Sequence, residues 1–294
     1  MLLSVVLITH NEEANLARTL RSVQPLVTDG RGEIIVVDSY STDRTVEIAQ
    51  SNGAKVFVED WKGFAAQKNS AIDKAQGDWI LSLDADEEVE PQLADDIQAA
   101  LQRWDEVDRI VRPKGFEPLN LFYDKAAGTQ FPDLDLTDYF DGFQLRRKNF
   151  FLNRWIRHGG FWPDPKLRLF RRGKGRFQER PVHETVRVEG ALSKRTMLGN
   201  GALLHHSYPT ISDYIEHMNR YSSLGAEMAV AKGPLRFPVV DIFFRPILTF
   251  LYNYIFRLGF LDGHEGFLLH VNHAIYVSWK YAKAWELTTP NREA

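Results

Sequence analysis

Residues 2–9 read Leu-Leu-Ser-Val-Val-Leu-Ile-Thr, a nearly unbroken apolar run. A strand with one wet face alternates polar and apolar side chains. A run without alternation is the mark of a strand covered on both faces. Similar short runs recur at 33–38, 54–59 and 79–84. Amphipathic stretches predicted as helices separate them at 11–23, 42–51 and 64–76, and Pro91 opens another. Asn11 suits the N-cap of the first, with Glu12 and Glu13 in its opening turn, where the helix dipole favours them. Ser41 suits the N-cap of the second, and Gly53 and Gly77 end the second and third. Strands alternating with helices across short loops predict an α/β fold with a Rossmann-like, mostly parallel sheet and helices on both faces.

The pattern breaks after residue 104. Residues 105–140 are rich in Asp, Pro and Phe without a period and read as an insertion. The expected organisation is a nucleotide-binding half over 1–104, an acceptor-side half over 105–210, and a helical region over 211–294. Residues 182–188 read as a strand and 212–232 as a helix stopped by Gly233-Pro234. Residues 237–261 and 267–285 are heavily aromatic and aliphatic but interrupted by Asp241, Arg245, Arg257, Lys280 and Lys283. No stretch reaches the about 18 uncharged apolar residues of a spanning helix. Such segments fit amphipathic helices lying in a membrane surface over 237–285, and the bland alternative is a pair of core helices.

Composition narrows the function classes. The chain has 294 residues, a net charge of -3 and no cysteine. Disulfides, thiolate zinc sites and a cysteine nucleophile are excluded. No global basic field favours nucleic acid as a partner. Residues 1–9 lack a basic leader and run directly into His10-Asn11-Glu12-Glu13, so they read as a strand and not as a signal peptide. The expected location is cytoplasmic, peripheral to the inner face of the cell membrane.

The chemistry gathers where the strands end. Asp84 and Asp86 follow the run Trp79-Ile80-Leu81-Ser82-Leu83. The carboxyl ends of parallel strands face the crevice where α/β sheets bind ligands. Two carboxylates one residue apart can share Mn2+ or Mg2+ with a diphosphate. Asp38 ends the second run and can accept from a base N–H or a ribose hydroxyl. Thr9, His10, Asn11 and Glu12 leave the first strand at the same edge. Lys68 and Asn69 precede the fourth strand, within reach of a phosphate or ribose. Arg168 and Arg171, in Arg168-Leu169-Phe170-Arg171-Arg172, are candidates for a diphosphate. A dehydrogenase would need a glycine-rich turn after the first strand, which His10-Asn11-Glu12-Glu13 is not.

These segments occur in the order of the family 2 glycosyltransferases. The resemblance rests on Ile8-Thr9-His10-Asn11-Glu12-Glu13, Val37-Asp38-Ser39-Tyr40-Ser41-Thr42-Asp43, Gln67-Lys68-Asn69 and Leu83-Asp84-Ala85-Asp86-Glu87. It implies a GT-A fold, an inverting mechanism and a nucleotide-sugar donor, with uracil recognition at Asp38 and diphosphate and metal binding at Asp84 and Asp86. The second half resembles a narrower branch, the bacterial lipopolysaccharide-core glucosyltransferase-like proteins. That likeness rests on Gly159-Gly160-Phe161-Trp162-Pro163-Asp164, Arg168-Leu169-Phe170-Arg171-Arg172, Pro181-Val182-His183-Glu184, His205-His206 and Gly259-Phe260-Leu261-Asp262-Gly263.

Inversion needs one carboxylate to take the proton of the attacking acceptor hydroxyl. Glu184, in the His-Glu pair that the resemblance places here, is the first candidate. Asp164, in an aromatic, proline-rich loop suited to stacking a sugar, is the second. His206 is a candidate to complete a metal shell or to orient the diphosphate. The expected reaction moves a hexose, UDP-linked, to a lipid-linked or lipopolysaccharide-type saccharide. The runner-up is a silent membrane-associated nucleotide-sugar sensor or scaffold.

Overall fold

A computed structural model describes residues 2–111, 141–179, 185–188, 196–233 and 237–289, with backbone alone at 106–111 and 196. The four apolar runs become β1 (Leu3–Thr9), β2 (Gly32–Asp38), β3 (Lys55–Val58) and β4 (Trp79–Ser82). They pair in parallel in the order β3-β2-β1-β4. Helices α1 (Leu16–Val27), α2 (Thr45–Ser51) and α3 (Phe64–Lys74) make the connections. The strand order turns back between β1 and β4, and such a reversal opens a crevice at the carboxyl ends of the strands.

Beyond β4 the sheet changes direction. The short β5 (Glu87–Val89) and α4 (Pro91–Val111) follow in sequence, then β6 (Gly142–Phe151), β7 (Arg154–Trp155) and β8 (Lys166–Arg171). β4 pairs antiparallel with β8, and β8 with β6. With β11 (Thr196–Tyr208), the sheet runs β3-β2-β1-β4-β8-β6-β11-β5. β9 (Gly175–Gln178) and β10 (Thr185–Val188) form a separate antiparallel pair. This is a mixed α/β architecture, as the sequence pattern predicted and as the resemblance to the GT-A fold implied.

The chain divides into two compact units. The first comprises Met1–Leu145, Lys166–Gln178 and Thr185–Ala202; the second comprises Arg146–Pro165, Glu179–Glu184 and Leu203–Ala294. The first has its core between sheet and helices, where Val6, Ile35, Val37, Ile80 and Phe170 pack against Ala65, Ala71 and Ile72 of α3. The second has its own core of Phe151, Ile156, Tyr214 and Leu269.

Several boundaries differ from the sequence expectations. The first helix starts at Leu16, not at residue 11. Asn11 has φ +56°, a left-handed conformation that asparagine tolerates, and its Oδ1 accepts the Thr42 N–H at 2.8 Å. It ties two loops together instead of capping a helix. The same helix runs through Pro25 to Val27. The second helix starts at Thr45, because the Ser41 hydroxyl donates to Asp38 at 2.5 Å and caps nothing. Residues 105–111 continue α4 as helix, and the rest of the expected insertion, 112–140, lies outside the described residues. The strand expected over 182–188 is seen at 185–188, and 182–184 lie outside the described residues.

In the second unit, α5 (Ile211–Val230) opens with a capping box in which the Thr210 hydroxyl and the Asp213 carboxylate serve each other's backbone N–H. Residues 240–256 are helical, with π-type turns at Val240–Phe244 and Leu251–Phe256 on either side of α6 (Arg245–Phe250). A 3-10 turn at Gly259–Asp262 leads into α7 (Gly263–Thr288). The Lys283 ammonium clasps α7 to α5 through Asn219 Oδ1 at 2.7 Å and Ser222 Oγ at 2.8 Å. No described helix is long and apolar enough to cross a membrane. Residues 237–261 leave many large apolar side chains exposed, among them Val239, Leu248 and Phe256; α7 buries Leu269, His270 and Ala284 but exposes Phe267, Trp285 and Leu287.

Candidate active site

The site on the first unit is built by three strand ends. Thr9 and Asp38 are register partners at the carboxyl ends of β1 and β2. Both are buried, and the Thr9 hydroxyl donates to Asp38 Oδ2 at 2.8 Å. Asp38 Oδ1 also accepts the Ser41 N–H at 2.8 Å, so its carboxylate fixes the loop that follows. His10 donates from Nδ1 to the Ser39 carbonyl at 2.8 Å. A ligand meets here a wall whose polar groups are already oriented.

Asp84 and Asp86 follow β4. The residue between them, Ala85, is buried, and its carbonyl accepts the Thr19 hydroxyl at 2.6 Å. A small side chain is what that close approach of α1 permits. The Asp84 N–H donates to Glu87 Oε2 at 3.0 Å, which closes the turn. Asp84 Oδ1 meets the Lys68 ammonium at 2.7 Å. Asp84 Oδ2 pairs with the Arg168 guanidinium, which also meets Glu87 Oε1 at 2.8 Å.

Lys68, Glu87 and Arg168 are 5%, 0% and 6% exposed, so two cations and an anion lie almost out of water. Such groups survive burial only when paired. For Arg168 burial works against the charge, but Asp84 and Glu87 outweigh it and raise its pKa far above the usual arginine value. The result is a rigid cationic pair with one partly exposed carboxylate in its grip.

Glu12 faces the same cluster. Its pKa is raised, first by burial and then by the negative charges of Asp86, Asp43 and Asp84, against a lowering hydrogen bond from Asn15. Burial does most of that, and the neighbouring carboxylates of Asp86, Asp43 and Asp84 add to it. Among the described residues no three His, Asp or Glu side chains stand together as a ready metal nest. The hard oxygen donors and the negative potential nevertheless suit a divalent cation.

The other expected site residues go elsewhere. Asn69 spends both ends of its amide on Phe177, donating to its carbonyl and accepting its N–H, each at 2.9 Å. Arg171 stacks on Trp104 at 4.8 Å, since it sits on β8 at opposite parity to Arg168 and so on the other face. Glu184 lies outside the described residues. His206 belongs to the second unit, where it stacks on Phe150 with ring centroids 4.9 Å apart. Asp164, also in the second unit, accepts Arg147 Nε at 2.9 Å, Arg147 Nη2 at 2.7 Å and Asn149 Nδ2 at 3.0 Å, all on Oδ2. Glu87 has no role in the sequence reading. Its one signal was its place in the run Asp84-Ala85-Asp86-Glu87, which does not tell a buried acid from an exposed one.

A sheet of this order, with buried cations gripping a carboxylate at its reversal point, suits a nucleotide-sugar transferase. The chain belongs to glycosyl transferase family 2, whose model matches residues 4–174. It is 30% identical to an uncharacterized glycosyltransferase of Rickettsia typhi over 99% of this chain and 89% of that one. It is 28% identical to the lipopolysaccharide core biosynthesis glycosyltransferase LpsC of Rhizobium meliloti, over 97% and 92%. Among solved structures it is similar to the glucosyl-3-phosphoglycerate synthase of Mycobacterium tuberculosis, determined with Mn2+, UDP and glucosyl-3-phosphoglycerate. That likeness has 27% identity and a TM-score of 0.30, and it covers 35% of this chain and 39% of that one.

Proposed function

We propose that this glycosyltransferase inverts the anomeric carbon of a UDP-linked hexose and passes it to a lipid-linked or lipopolysaccharide-type saccharide. The observation that carries the reading is the Lys68–Asp84–Arg168–Glu87 cluster beside Asp86 at the strand ends. The likeness to LpsC along nearly the whole chain supports the acceptor class.

In this mechanism Thr9 and Asp38 form the wall for the uridine, and Lys68 and Arg168 supply positive charge near the diphosphate. Asp84 and Asp86 would hold Mn2+ or Mg2+. When bound, the ion neutralises charge that develops on the leaving UDP. The acceptor hydroxyl attacks the anomeric carbon from the face opposite the diphosphate. One bond forms as the other breaks, and no covalent enzyme intermediate is needed. Glu184 takes the hydroxyl proton. The Asp164 oxygen that accepts three N–H donors is committed to holding its surroundings, which favours Glu184 over Asp164 as the base. The exposed apolar side chains of 237–285 rest in a membrane surface, on the inner face of the cell membrane, where a lipid-linked acceptor is presented.

Release of UDP from UDP-glucose and related donors, with Mn2+ and a lipid-linked acceptor extract, tests the reading. Asp86→Ala is expected to lower metal-dependent turnover at least a hundredfold while the protein stays folded. Full metal-dependent activity in that variant sinks the assignment.

A further inference from the structure

The second unit contains a cavity of about 250 Å3 that the donor chemistry does not use. That is just below the roughly 300–1,000 Å3 of drug-sized ligand sites, so it suits a ligand of about one ring. Its polar lining is Arg147, Asn149, Asp164, His205 and Ser207. These come from β6, the 156–165 loop and β11, and they form one connected network. Asn149 Nδ2 donates to Asp164 Oδ2 at 3.0 Å and to the Phe161 carbonyl at 3.1 Å. The orientation of this amide is thereby fixed, and its Oδ1 must accept. It accepts from His205 Nδ1 at 2.8 Å, so that nitrogen carries a proton. The Ser207 hydroxyl lies against the edge of the same ring, 2.7 Å from Nδ1 and 2.9 Å from Nε2.

The charge balance of this lining selects the ligand. Arg147 is the cation of the lining and Asp164 the carboxylate, and they pair at 2.7 Å with side chains 14% and 23% exposed. A phosphate reaching for Arg147 would meet the Asp164 carboxylate beside it. A purely apolar ligand would strip water from an ion pair and an amide without replacing it. A sugar ring answers both objections. Its hydroxyls donate to a carboxylate and accept from a guanidinium or a serine. Its C–H face packs on aromatic rings, and the remaining walls offer Phe150, Phe161 and Tyr208 with Leu269. The geometry points to this cavity as the seat of one uncharged pyranose ring of the acceptor. Asp164 and Ser207 hold its hydroxyls, and Arg147, Asn149 and His205 hold Asp164 and Ser207 in place. The inference rests on the transferase reading above.

Saturation-transfer NMR with methyl glycosides of glucose, galactose and mannose tests it on the full chain. Inorganic phosphate is the competitor. Melting temperatures with and without UDP and Mn2+, taken on the same samples, report folding and donor binding separately. At least one glycoside is expected to bind the wild-type protein. Asp164→Ala is expected to weaken it at least tenfold, and Ser207→Ala, a smaller change, about threefold. Phosphate is expected not to displace it. Absence of glycoside binding, binding unchanged in both variants, or displacement by phosphate overturns the inference. If UDP shifts the melting temperature in those cases, the transferase reading stands and only the acceptor seat falls. If UDP gives no shift, the transferase reading itself fails.

Discussion

Replacing Arg168 by methionine isolates the central electrostatic argument. The guanidinium bridges Asp84 and Glu87, and Glu87 is fully buried. Methionine fills similar space without charge. Asp84 keeps Lys68 at 2.7 Å and some water, but Glu87 loses the cation that faces its Oε1. Breaking a buried pair by removing one partner costs about 3–5 kcal/mol, mostly through the charge left behind. At about 2–4 °C per kcal/mol, the melting temperature should fall by roughly 6–20 °C. A second change, Glu87→Gln, removes the stranded charge while its amide oxygen can still accept the Asp84 N–H. The double variant should recover about half of the loss. Thermal and urea unfolding of the wild type, both single variants and the double variant give the full cycle. A loss under about 1 kcal/mol in Arg168→Met, or no recovery in the double variant, would refute the view that the pair is a buried, mutually dependent unit.

Two further predictions follow from the second unit. Burial above all, with help from His273 and against Asp262, holds the His270 imidazole down at about 4. Its contribution to stability is therefore complete above pH 6.5 and is lost as pH falls from 6.5 towards 4, by about 3 kcal/mol at the acid end. Urea unfolding between pH 7.5 and 4 should show that slope in the wild type and a flatter one in His270→Leu; equal slopes would exclude His270 as its source. Phe256 is 77% exposed. Phe256→Ser should leave the melting temperature within about 2 °C but weaken binding to anionic vesicles roughly fivefold to thirtyfold, given about 1–2 kcal/mol of apolar burial lost in lipid. Unchanged co-sedimentation would remove this segment from the membrane contact.

The parallel half of the fold was legible because its strands are buried on both faces, which leaves local apolar runs that a sequence displays directly. The starts of the first two helices were not, whereas Phe64 and Pro91 open α3 and α4 as expected. Asn11 and Ser41 have the side chains of N-caps, yet Asn11 accepts the Thr42 N–H across loops about thirty residues apart, and Ser41 accepts the Asn11 N–H while donating to nearby Asp38. The strand-end residues Thr9, Asp38, Asp84 and Asp86 stand in short motifs, which is why the sequence offers them as candidates. Lys68 and Arg168 meet on Asp84 as two candidates of opposite sequence neighbourhoods. Arg171 lies over Trp104, because parity on a strand, not proximity in sequence, decides which face an arginine serves. The cavity of the second unit was the least legible. Arg147, Asn149, His205 and Ser207 come from two strands more than fifty residues apart, and none stands in a motif that announces the other.

One clasp in the second unit limits how such a chain can be rebuilt. The buried Asp262 carboxylate accepts the N–H groups of Arg157 and His158 at 3.1 and 2.8 Å, and His158 Nδ1 lies 2.9 Å from it. The Gly159 N–H donates to the Arg257 carbonyl at 2.9 Å, and a side chain at Gly159 would collide with the His270 ring. Residues 157–160 and 257–270 are thus two halves of one fitting, separated by about a hundred residues of chain. A chimera that takes its C-terminal helices from a relative must import 157–160 from the same parent. A splice that mixes parents between them inherits a mismatched latch, whatever the quality of each fragment alone.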